Sequence, residues 1–260
     1  MSRRIVIVGG GVTGVTAFAA AVRHRCADRI DVVDPLPPGT GTAFATDHPA
    51  LLCNTSVGIM SLLPDDPHDF LRHLHERGVP AGPDDVVARG LFHDYVRVRY
   101  ADHAARFRAE GGVHRHIRAE AARVHRDVDG GYHVVAGDHV LPATDVLVCL
   151  GYGEPVVPAV LAEHVDHELI FRSPFPADRL LAALPRPADV LVLGTRLSAV
   201  DAAVLLCGQG HAVTLASPSG RLPAVRSRTG RGRAGLVRPQ DITALGRTVP
   251  SLYADVLALA

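Results

Sequence analysis

The chain has 260 residues, 47% of them hydrophobic and 21% charged, with 27 basic groups against 27 acidic ones. It is long and apolar enough to bury the core of one or two soluble domains, and it carries no net field toward nucleic acid or an anionic membrane. Every basic charge is an arginine, histidines aside, and the absence of lysine excludes Schiff-base enzymes, pyridoxal phosphate enzymes and P-loop NTPases, which need a primary amine.

Cys26, Cys53, Cys149 and Cys207 lie far apart, without the short spacing of a zinc knuckle or a redox pair, so reduced thiols and no metal site are expected. The uncharged stretch from Ile5 to Val22 follows Arg3 and Arg4, the outline of a signal peptide or membrane helix, but four glycines and two threonines inside it fit a different template better. That template is strand, glycine turn, helix, strand, acid. Ile5-Val6-Ile7-Val8 is a short apolar run suited to a parallel strand buried on both faces. Gly9-Gly10-Gly11-Val12-Thr13-Gly14 then satisfies GxGxxG: Gly9 for the tight turn, Gly11 for approach of a diphosphate to bare backbone, Gly14 for close packing of helix on strand. The alanine-rich stretch to Arg25 predicts a helix whose first amides face the phosphates, and residues 29–34 predict the next strand. That strand ends in Asp34, twenty residues after Gly14, placed to accept hydrogen bonds from ribose hydroxyls and to repel a 2′-phosphate. A dinucleotide site follows from this sequence of features taken together.

Residues 35 to 117 read as loop and helix. Pro35 opens a proline- and glycine-rich loop passing the cofactor, and Asp66 to Gly78 predicts a helix with Phe70, Leu71 and Leu74 on one face. His73 and His75 diverge on such a helix, and His114 and His116 are expected as solvated histidines rather than metal ligands. Residues 122–126, 132–136 and 139–141, separated by Asp129-Gly130-Gly131 and Gly137-Asp138, predict a small antiparallel meander. Residues 144–153 then form an apolar strand closing on Gly151 and Gly153, which rejoins the parallel sheet beside the nucleotide.

A second start follows, with a strand over 189–193, a turn from Gly194, a helix over 198–206 and a strand over 212–217. Arg196 stands where GxGxxG/A has its second glycine, and its side chain obstructs backbone approach to a diphosphate. This unit either holds NADPH, or uses Arg196 to bind phosphate directly, or has Arg196 filling an abandoned pocket. Arg221, Arg226, Arg228, Arg231, Arg233 and Arg238 form an acid-free stretch without interleaved aromatics, expected as a solvated loop ahead of a C-terminal helix. The fold class is α/β, with a Rossmann-like domain over 1–155 that includes the antiparallel β-meander, a degenerate NADP-type Rossmann-like βαβ unit over 156–222, and the basic tail over 223–260.

Taken with residues 39–44 (GTGTAF), residues 51–61 (LLCNTSVGIMS), Asp66-Pro67 with Phe70, the strand from Val148 to Gly153 and residues 194–201, the chain resembles bacterial FAD/NAD(P)-binding oxidoreductases related to the flavin-dependent N-hydroxylases and other two-dinucleotide-domain monooxygenases. The resemblance spans residue 1 to about residue 222. It implies FAD in the first site, with the diphosphate over Gly9, Gly10, Gly11, Val12, Thr13 and Gly14 and the ribose at Asp34. It also implies Asn54, Thr55 and Met60 near the flavin ring and Val124 near adenine. It implies an FAD-dependent, monooxygenase-like oxidoreductase of the cytoplasm acting on a small molecule, without membrane or nucleic-acid partners. Two departures from the family stand out: Arg196, and an end soon after the second unit where relatives continue. They raise the alternative of a flavin-binding, non-catalytic subunit, a fragment, or a chain completed by a partner or a second copy.

Overall fold

A computed structural model of the chain describes residues 2–153, 155–184 and 187–223. The expected C-terminal helix and all of the basic stretch beyond Arg221 lie outside the described residues.

Four parallel strands form the main sheet in the order β3-β2-β1-β7: β1 (Arg4–Val8), β2 (Arg29–Val33), β3 (Val113–Ile117) and β7 (Asp145–Val148). The inner pair β1 and β2 is nearly all buried because helices cover one face and a second sheet the other, leaving no wet side for alternation. On the helical face, α1 (Val12–Arg23) packs with α3 (Arg89–Ala109) around Ile5, Ile7, Phe18, Val22, Ile30 and Phe107. On the other, Val6, Val8, Val33 and Ile117 meet Val134, Ala136 and Leu141 of an antiparallel meander made of β4 (Ala121–Arg126), β5 (Tyr132–Ala136) and β6 (His139–Ala143). The α/β class and the meander are both present as expected.

Strand β3 corrects the reading of residues 35 to 117. Its sequence, VHRHI, hides a strand behind polar residues, and His114, expected in solvent, is 7% exposed. Its ring meets Phe18 at 4.4 Å, and Nδ1 donates to the Ile30 carbonyl at 2.8 Å, so Nε2 is the acceptor for the Tyr100 hydroxyl at 2.7 Å. Buried Asp31 on β2 is paired in register with Arg115, which donates to it twice, at 2.8 and 2.9 Å.

Helix α2 (Asp69–Glu76) lies within the expected span, with Phe70 and Leu74 fully buried. It packs with α3 in a core that also takes Val15, Cys53, Val57, Leu62, Phe92 and Tyr95. Beyond the sheet, α4 (Ala177–Ala183) precedes a second parallel pair, β8 (Asp189–Leu193) and β9 (Ala212–Ala216), joined by α5 (Leu197–Gly208). Ala177 and Leu205 of this part close over Leu51, all at most 1% exposed, with Phe175 and Leu181 at the margin. Among the described residues, no helix is long and apolar enough to cross a membrane.

Candidate functional site: two glycine turns

The turn after β1 is built by close contacts that leave no room for a side chain at Gly9 or Gly14. Gly9 has a φ of 100° and donates its amide to the Val33 carbonyl at 2.8 Å. A β-carbon there would run into the Cys149 carbonyl at the end of β7, so Gly9 answers both to backbone conformation and to its neighbour. On Gly14, a β-carbon would collide with the Gly9 carbonyl, so the helix can sit this close to the turn only with glycine there. Gly10, which sequence reasoning left without a reason, is hemmed in by the Asp34 β-carbon at 3.1 Å and Pro38 at 3.3 Å from where its own β-carbon would be.

Gly11 is the N-cap of α1, and the helix start has neither a side-chain cap nor an acid in its first turn. The opening amides of a helix have no intrahelical acceptor and carry partial positive charge, so they are donors for an anion. A β-carbon on Gly11 would touch only the Gly41 α-carbon, at 3.5 Å, so two glycines face each other beside those amides. This bare backbone fits a diphosphate.

Asp34 follows β2 and is half-buried, its Oδ2 accepting from the Gly10 amide at 2.6 Å and its Oδ1 from the Leu36 amide at 2.8 Å. A carboxylate has about four acceptor positions, so capacity remains for sugar hydroxyls. The structure thus adds a second task for Asp34, that of holding the glycine turn to the loop opened by Pro35. His116 fixes the same corner by donating from Nε2 to the Asp34 carbonyl at 2.9 Å.

Part of the segment expected near the flavin packs with the first turn of α1. Val12 and Val15 share one packed cluster with Cys53, Val57 and Met60, and Asn54 and Thr55 follow Cys53 in the chain. Burial pushes the Cys53 thiol up to about 11, so it stays protonated at neutral pH. Gly151 lies two residues beyond Cys149, whose carbonyl abuts Gly9. Val124 is 42% exposed on β4, outside the packed cluster of the meander. Tyr95 is structural, its hydroxyl donating to Asp69 at 2.7 Å and accepting from the Leu62 amide at 3.0 Å. Burial also holds His93 below the ordinary histidine range.

The second turn shares the backbone bonding of the first. Gly194 has a φ of 133° and donates to the Ala216 carbonyl at 2.7 Å, as Gly9 does to Val33. Arg196 caps α5 at φ −85° and ψ −175°, against −67° and −170° for Gly11 on α1. The Val200 amide bonds back to Arg196 at 3.0 Å as that of Val15 does to Gly11 at 2.9 Å. Arg196 therefore occupies the backbone position of the second glycine, and its side chain is exposed at the helix start. Sequence reasoning passed over Arg89 and Asp201, which form an ion pair at 2.7 Å between α3 and α5. The available signal was Asp201 itself, the one charge in an otherwise apolar helix.

The profile of a family described as FAD-NAD(P)-binding matches residues 6–153. Among solved structures, the chain is similar to an ornithine hydroxylase from Pseudomonas aeruginosa, at 17% identity and a TM-score of 0.58, with 83% of this chain and 54% of that one covered. It is also similar to an L-lysine 6-monooxygenase from Pseudomonas syringae, at 17% identity and a TM-score of 0.55, covering 84% and 53%. A T. acidophilum thioredoxin reductase aligns at 17% identity with a TM-score of 0.50, covering 82% and 56%. These likenesses are of fold, and the chain spans little more than half the length of each. No curated protein matches the chain.

Proposed function

The chain belongs to the FAD-NAD(P)-binding family, and on that premise we propose that it is an FAD-dependent, monooxygenase-like oxidoreductase acting on a small molecule. One observation carries the reading: an uncapped, acid-free helix start walled by Gly11 and Gly41, with Asp34 beside it. FAD, when bound, supplies a ring that accepts and passes on electrons, which no side chain of the protein can do. The chain's own work is to hold it. The amides at the head of α1 face the diphosphate, Asp34 takes the ribose, and Asn54, Thr55 and Met60 line the ring side, with Gly151 at the end of β7. Val124, exposed on β4, is open to the adenine.

We take residues 1–155 as the FAD domain and 156–222 as an NADP-type unit, its turn repeated in geometry and altered at Arg196. The free cysteines Cys26, Cys53, Cys149 and Cys207 suit a reducing cytoplasm. Arg196 also supports a second reading, a flavin-binding subunit without turnover of its own that works through a partner chain or a second copy. Purified protein loaded with FAD and mixed anaerobically with NADPH tests the reading: bleaching of the visible bands is expected of an NADPH-reduced oxidoreductase, and bound flavin that stays oxidised favours an oxidase or the subunit. A chain that takes up no FAD overturns both.

A further inference from the structure

Helix α3 begins in a way that local rules disfavour. Its first residue is Arg89, with no side-chain cap and no acid in the first turn, so a cation sits at the positive end of the helix dipole. A local rule broken without local gain points to a tertiary demand. Here the demand is visible: the Arg89 side chain is 5% exposed, its Nη2 lies 2.7 Å from Asp201 Oδ2 on α5, and its guanidinium sits over the Phe175 ring at 5.5 Å. The same Nη2 donates to Asn54 Oδ1 at 3.4 Å. The backbone around Arg89 is tied to the same segment, the Arg89 amide donating to the Leu51 carbonyl and the Cys53 amide to Val87, each at 2.8 Å.

We infer that Arg89 is a positioning residue that pins the segment carrying Asn54, on the ring side of the first turn, to the helix that starts at the second turn, and so sets the register between the two nucleotide sites. The inference rests on the reading of both turns as dinucleotide sites. Apolar packing of Leu51, Ala177 and Leu205 holds the two parts together but is non-directional, whereas an ion pair nearly removed from water has one good geometry. Transfer between two bound cofactors needs that precision, because reacting atoms must come within about 3–3.5 Å of each other and an error of about 1 Å costs on the order of 100-fold. Asp201 is in the second turn of α5, the helix capped by Arg196, so the pin reaches the second site through a rigid element.

The test uses the full chain and two variants, Asp201→Asn and the charge swap Arg89→Asp with Asp201→Arg. In the absence of nucleotide, amide hydrogen exchange of residues 51–60 is expected to quicken about 10-fold or more in Asp201→Asn, since opening is governed by local stability. With FAD bound, the rate of flavin reduction at saturating NADPH is expected to fall about 10-fold or more, while FAD affinity, read from flavin fluorescence, changes less than about 3-fold. The charge swap is expected to recover part of both losses. Unchanged exchange and unchanged reduction in Asp201→Asn overturn the inference, as does loss of FAD affinity in step with reduction, which marks a merely structural pair. A wild-type chain that takes up no FAD removes the reading beneath the inference, and the inference with it.

Discussion

At the scale of single residues, the first turn is constrained by atoms that a β-carbon would strike. Gly14 faces the Gly9 carbonyl, which cannot retreat because Gly9 is itself held to Val33 and crowded by Cys149. Gly14→Ala is therefore expected to push α1 off the sheet, costing about 1–3 kcal/mol of stability as overpacking does. Urea denaturation measures that cost, and a flavin fluorescence titration is expected to show at least about 10-fold weaker FAD binding. The second turn offers the reverse experiment. Arg196 has the backbone of Gly11 and lacks only its bareness, so Arg196→Gly is expected to tighten NADPH binding, read by calorimetric titration. Weaker binding in the variant would instead show that the guanidinium grips phosphate.

At the scale of elements, β3 shows how a polar strand can be held inside a sheet. Arg115 and Arg29 surround the buried Asp31 carboxylate, and although burial by itself would raise its pKa, the two guanidinium groups more than offset it and hold it below the usual range. His114, one residue before Arg115, is held below the ordinary histidine range, chiefly by burial, against the opposing effect of its bond to Ile30. The sign for stability follows. The unfolded chain takes up a proton on this ring near pH 6.5, the folded chain only at lower pH, so protons favour unfolding as pH falls below the ordinary histidine value. Buried His103 and partly buried His93 are shifted the same way, in each case first by desolvation. Thermal midpoints are therefore expected to drop between pH 7.5 and 5.5, and His114→Gln to flatten that slope in part without abolishing it. A slope unchanged by His114→Gln would show that this ring takes no part in the loss.

At the scale of the whole molecule, the second βαβ part is seated through a small dry contact whose centre is Leu51. Leu51→Ala is expected to cost about 2–5 kcal/mol in urea denaturation, the range for truncating a fully buried leucine. Leu191 on β8 is 61% exposed, and Leu191→Ser is expected to change stability by about 0.5 kcal/mol or less. That contrast separates the apolar residues that dock the part from those that merely belong to it.

Much of this was legible in the order of residues. The first βαβ unit, the meander and the second unit each announce themselves through short-range patterns: an apolar run, a glycine turn, an acid at the right distance, turn formers between alternating segments. Glycine turns can be read this way because a missing β-carbon is a local property, and so the sequence by itself determined where two strand–glycine turn–helix units lie and which of their turns is altered. Strand β3 escaped because its burial comes from neighbours far away in the chain, Asp31 and Tyr100 supplying partners that make arginine and histidine acceptable there. The convergence of Met60 and Cys53 on the start of α1, the second bond of Asp34 and the Arg89–Asp201 pair were decided only by the tertiary structure. Contacts between residues dozens of positions apart leave no period or spacing in the chain, since they exist only once packing has brought the elements together.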